Sequence, residues 1–175
     1  MTKSGIISVI ILVFISSYGC KKSIKANNTN SGRDIEIFLL KSFSTESHGQ
    51  IVESTAKLSA TPLITYSDIL SYNRSEYSFK LSPKAVSAIN NIQHSVSGIA
   101  FAVTANKEII YTGYFWPSYS SATCEWVVTD PVTVSGTNKM QIMLGYPGSI
   151  EWSTIPDKRN DSRILVILQK DKKLE

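Results

Sequence analysis

The stretch "YSFKLSPKAVSAINNIQHSVSGIAFAVTANKEIIYTGYF", residues 77–115, changes its apolar period twice, and those changes decide the fold. Tyr77, Phe79 and Leu81 alternate with Ser78 and Lys80, the pattern of a half-buried strand. Ser82 is then a good N-cap and Pro83 fits the first helical position. Val86, Ile89, Ile92 and Val96 recur at threes and fours, which predicts an amphipathic helix running on to Gly98. His94 lies about 180° from Val96 on that wheel, so the helix reading leaves it solvated. Apolar residues resume on both sides of Asn106 and Lys107, a turn-forming pair, and predict a β-hairpin.

Working outward, "DIEIFLL" at residues 34–40 reads as a strand, and residues 41–60 as a polar connection of weak structure. Further strands are expected at "CEWVVTD" (124–130) and "KMQIMLGY" (139–146). At "DKRNDSRILVILQKDKKLE", Asn160 or Asp161 can cap a helix that turns Ile164, Leu165 and Leu168 inward, with lysines in its last turns. The unbroken apolar run 164–168 also fits a strand; the helix is the preferred reading. The fold class is α+β: a small, mostly antiparallel sheet with one central amphipathic helix packed on it and a C-terminal helix, within a single domain over residues 34–175.

The chain opens "MTKSGIISVIILVFISSYGCKKS": Lys3, a nearly continuous apolar run over residues 6–15, then Ser16, Ser17 and Gly19 before Cys20. This is a secretory signal layout, and its apolar run is well short of the roughly 20 residues that span a bilayer. Gly19-Cys20 resembles the lipobox of bacterial lipoproteins. The resemblance implies cleavage before Cys20 (signal peptide 1–19), acylation of that cysteine, and a stable membrane anchor. Ser17 and Tyr18 depart from the commoner Leu-Ala/Ser pattern. Lys21 stands where an aspartate would signal inner-membrane retention, and no acidic run follows, so the expected location is the outer membrane facing the periplasm. "KANNTNSGR" lacks apolar periodicity and reads as the flexible part of a tether over residues 20–33.

The formal net charge is +4, and the basic excess sits at the ends: Lys21, Lys22 and Lys25 beside the anchor, Lys170, Lys172 and Lys173 near residue 175. The first cluster suits anionic head groups. The second reads as a solvated tail, and an envelope location argues against a nucleic-acid partner. With Cys20 acylated, Cys124 has no disulfide partner in the chain and reads as a small buried hydrophobe. His48 and His94, 46 positions apart, do not make a zinc site. "GTNKMQIMLGYPGS" lacks phosphate-loop spacing, so no cofactor is expected.

The stretch "YTGYFWPSYSSATCEW", residues 111–126, concentrates aromatic side chains. In a strand, Tyr111, Gly113 and Phe115 point one way and Thr112, Tyr114 and Trp116 the other. One face should meet the helix; the other is either covered by the terminal segments or exposed. If exposed, Tyr114 and Trp116 with Tyr119, Ser120 and Ser121 form a platform for a peptide, protein or glycan. If covered, they are core. The functional reading is therefore a membrane-anchored, non-catalytic binding or interaction module. Two alternatives stand beside it: an envelope hydrolase using Ser120 or Ser121, which has no Gly-x-Ser-x-Gly elbow, and a purely structural envelope component.

"SDILSY", "FKLSPKAVSAI" and "GIAFAVTANKEIIYTGYF" together resemble the head subdomain of the first periplasmic region of SecD/SecDF export proteins, over residues 62–115. The resemblance implies a compact α+β unit on a lipid tether. The chain from Cys20 onward also resembles small Bacteroidota-type lipoproteins of unassigned function.

Overall fold

A computed structural model describes residues 34–148 and 154–175. The signal segment, Cys20 and the tether lie outside the described residues. The fold is α+β, but the strands form two sheets, not the one expected. In chain order the strands are β1 (Ile35–Ser42), β2 (Lys57–Leu58), β3 (Ile69–Asn73), β4 (Ser78–Leu81), β5 (Ile99–Ala105), β6 (Glu108–Phe115), β7 (Cys124–Thr129), β8 (Lys139–Gln141) and β9 (Met143–Tyr146). The helices are α1 (Pro83–Asn90), α2 (Pro131–Thr137) and α3 (Ser162–Lys170). The larger sheet has the order β2-β1-β5-β6-β7-β9 and the smaller β3-β4-β8. The helix-preceding strand β4 thus belongs to a different sheet from the hairpin that follows the helix.

The expected hairpin forms: Ala105 pairs with Glu108 across Asn106 and Lys107, both with positive φ (54° and 69°), as a tight two-residue turn requires. Ser82 caps α1 by accepting from Ala85 N at 3.2 Å, and Ala85, Val86 and Ile89 face inward. The helix stops at Asn90, about two turns before the apolar period runs out. Residues 91–98 leave it as a loop that leads into β5, so Val96 is 58 % exposed where the wheel placed it on the buried face. His94, expected in solvent, is half-buried, with Nε2 3.1 Å from Ile89 O. Helical periodicity could not reveal this break, because the same apolar residues suit a loop folded back over the sheet.

Three other expectations are corrected. Tyr77 has φ 53° and precedes β4, so it does not share the face of Phe79 and Leu81. Residues 139–146 break at Ile142 into β8 and β9, which join different sheets. A third helix, α2, stands in "DPVTVSGTN", where Asp130 caps and Pro131 opens it. Here the start signals were present, but the β-branched residues of a seven-residue helix give little period to read. At the end of the chain the helix reading holds: α3 is capped by Asp161 and buries Ile164, Ile167 and Leu168, while Leu165 is half-buried.

Residues 41–60 are ordered, contrary to expectation. Thr45 bridges Ile51, Ser44 N donates to Thr55 Oγ1 at 2.9 Å, and Ile51 is buried. This segment lies against the second face of the large sheet. Tyr114 OH donates to Gly49 O at 2.8 Å, and Phe43 meets the Tyr114 ring edge-on at 6.2 Å. Glu53 enters where β6 and β7 separate. Those parallel strands pair only at Tyr114–Val128 and Phe115–Thr129, and Glu53 Oε1 accepts from Thr112 N at 3.1 Å while its other oxygen pairs with Lys158. A backbone donor left open by the diverging strands is thereby satisfied.

Candidate functional site

The aromatic stretch is mostly foundation. Tyr111, Phe115, Trp116 and Trp126 are buried, as is Tyr114, and the last turn of the path is fixed by Trp116 N donating to Thr129 O at 2.8 Å. Trp116 packs on Gly98, where a Cβ would lie 2.7 Å from the indole ring, and its Nε1 donates to Ala122 O at 3.3 Å. Trp126 Nε1 donates to Thr112 Oγ1 at 3.1 Å. Tyr114 and Trp116 are therefore core, the favoured of the two readings, and do not form an exposed platform. Their face is covered by residues 43–50 and by the chain after Trp116, where coverage by the terminal segments was expected. Burial also pushes the Tyr114 phenol up to about 12.

What this foundation presents is the loop that follows it. Tyr119 is 63 % exposed and Ser121 is exposed, whereas Ser120 is buried beneath them. Ser120 Oγ donates to Val96 O at 2.7 Å and accepts from Ala122 N at 3.2 Å, which ties the 117–123 loop to the 91–98 loop. Ser118 N and Val132 N both donate to Asp130 Oδ1, at 3.1 and 3.0 Å, which ties the same loop to the start of α2. Three of the exposed large apolar residues, Val96, Tyr119 and Val132, are thus gathered from three segments around one loop. Sequence reading missed Val96 and Val132, because nothing local marks a valine as exposed.

Beside this loop is a cleft of about 200 Å³ lined by Ser118, Asp130, Thr133, Met143, Gly145 and Tyr146. That is below the several hundred Å³ typical of small-molecule pockets. Among the described residues its one charged group is occupied internally: Asp130 also accepts from Thr133 N and Thr133 Oγ1, which fills both carboxylate oxygens. Burial alone would raise the Asp130 carboxyl, but the Thr133 hydroxyl and the Val132 and Ser118 amides outweigh it and hold it below the usual carboxylate range.

The residues of the hydrolase reading are not assembled. The Ser120 hydroxyl is committed to Val96 and Ala122. Neither histidine is hydrogen-bonded to Ser120: His48 Nδ1 is 3.2 Å from Glu125 Oε1, and His94 Nε2 is 3.1 Å from Ile89 O. Burial pushes the Cys124 thiol up to about 11, which disfavours the thiolate a nucleophile needs. Among the described residues no group of three or more His, Cys, Asp or Glu is placed to hold a metal ion. Ser120→Ala should lower stability by about 1 kcal/mol, the size of one net hydrogen bond, measured by denaturant unfolding.

No family model, curated protein or solved structure matches this chain.

Proposed function

We propose that the protein is a membrane-tethered, non-catalytic binding module of a bacterial envelope, anchored by acylated Cys20 and using the 117–123 loop with its neighbours as its contact surface. The outer membrane, facing the periplasm, is its proposed location. One observation supports the reading: Asp34, where the described chain begins, and the 117–123 loop lie at opposite ends of the same strands. Ile35 pairs with Ala105, and Asn106 N donates to Asp34 O at 2.9 Å, so the chain enters the domain beside the β5–β6 turn. Ile99, Phe115 and Thr129 mark the other end, where the exposed loop begins. Seven residues of β5 separate the two poles by about 20 Å. A module tethered at one pole holds the other away from the membrane.

The test places a photo-crosslinking residue at Ser121 or at Val166 in the full chain, in cells. Val166 is 65 % exposed and shares a depression with Asn106 at the tether pole. The expected result is a discrete adduct from Ser121, none of that size from Val166, and an unprocessed precursor for Cys20→Ser. The absence of any adduct at Ser121 would overturn the contact surface and favour a structural envelope component. Normal maturation of Cys20→Ser would overturn the anchor.

A further inference from the structure

The composition of the distal pole narrows what it can hold. Residues 85–106, 109–124 and 131–138 contain no lysine, arginine, aspartate or glutamate, and these runs supply all three segments of the surface. The nearby acids are not available. Asp130 is 9 % exposed with its oxygens filled, and Glu125 is paired with His48. Among the described residues, what remains at this surface is uncharged: the Tyr119 ring, the Val96 and Val132 side chains, and the hydroxyls of Ser97, Ser118, Ser121 and Thr133. Tyrosine among serines gives a broad, stiff contact with adaptable hydrogen bonding at low entropic cost. A charged ligand would be desolvated here with no countercharge in return, which disfavours anionic or cationic polymers.

Resting on the binding reading above, we infer that the ligand is a neutral, hydroxyl-rich glycan chain laid across this pole. Its sugar rings stack on Tyr119, and its hydroxyls exchange hydrogen bonds with Ser97, Ser121 and the rim of the cleft. The small cleft accepts one polar substituent at Ser118 and Thr133, and the open surface takes the rest of the chain. A peptide partner would bring charged groups as well as backbone, and the three segments of this pole carry no charge to meet them; β9, the edge strand of the larger sheet among the described residues, borders the cleft, so strand addition by a peptide is the competing outcome that the crosslink separates.

The experiment is affinity electrophoresis of the full acylated chain in a neutral detergent. Native gels would contain dextran, galactomannan or glucomannan, and parallel gels dextran sulfate or polygalacturonate. The expected result is retardation by at least one neutral polymer, unchanged by added salt because no ion pairs are involved. Tyr119→Ala should weaken it about tenfold, the size of one aromatic contact, while its unfolding midpoint stays that of the parent because the ring is exposed. Retardation by the charged polymers alone, by none, or equally with Tyr119→Ala would overturn the inference. A protein adduct at Ser121 without glycan retardation would overturn the glycan while leaving the binding module standing; loss of both would remove the module as well.

Discussion

Trp116→Ala is expected to lower the unfolding free energy by about 3–5 kcal/mol, the usual result of emptying an indole-sized space in a core. The ring is 7 % exposed, packs edge-on with Tyr114 at 6.1 Å and 77°, and closes over Gly98. Its removal opens contacts with Tyr114 and with Gly98 in the 91–98 loop, and the loss of the Nε1 bond leaves Ala122 O without that donor. Urea unfolding of the parent and the variant measures it. Because the distal loops are built on this ring, the variant should also lose the Tyr119-dependent retardation, whereas Tyr119→Ala loses retardation with its stability intact.

Asp130→Ala should cost about 3 kcal/mol, combining a helix N-cap with further hydrogen bonds to a charged acceptor. Four donors converge on this carboxylate: Ser118 N, Val132 N, Thr133 N and Thr133 Oγ1. Its folded-state pKa is held below the ordinary carboxyl value, so its contribution is fully present above the unfolded value of about 3.9. The contribution is lost as pH falls through the lower folded value. Unfolding free energies from neutral pH down to about pH 3 should therefore show the stability gap between parent and Asp130→Asn narrowing only in acid, below the unfolded carboxyl value. A gap that stays constant over that range would mean that the carboxylate charge contributes nothing.

The hairpin, the Ser82 cap and α3 were legible in the sequence because each is specified locally. Asn106-Lys107 between apolar runs, Ser-Pro before a helical period, and Asp161 before Ile164 carry their own signals. The partition of strands into two sheets was not, since β8 and β9 are separated only by Ile142, and nothing in "KMQIMLGY" says that the chain changes partner there. The cover over Tyr114 was equally hidden. Residues 43–55 hold few apolar side chains, and their order comes from bonds such as Ser44–Thr55 and Glu53–Thr112, whose partners are 11 and 59 positions apart. For the candidate site, sequence left Tyr114 and Trp116 between core and surface, and the fold puts them in the core. Tyr114 and Trp116 alternate correctly to one face, yet alternation says only which way a side chain points, not whether another segment lies on it. Of the other candidates, Tyr119 and Ser121 are exposed and Ser120 is buried.

The aromatic stretch is a buried foundation that exposes Tyr119 at the pole opposite Asp34. Hydroxyl-radical footprinting of the native full chain, read residue by residue by mass spectrometry across residues 111–126, tests it directly. The expected result is oxidation concentrated on Tyr119, with Tyr111, Tyr114, Trp116 and Trp126 spared until the protein is unfolded. Oxidation of Tyr114 and Trp116 at a rate matching Tyr119 in the native state would contradict it.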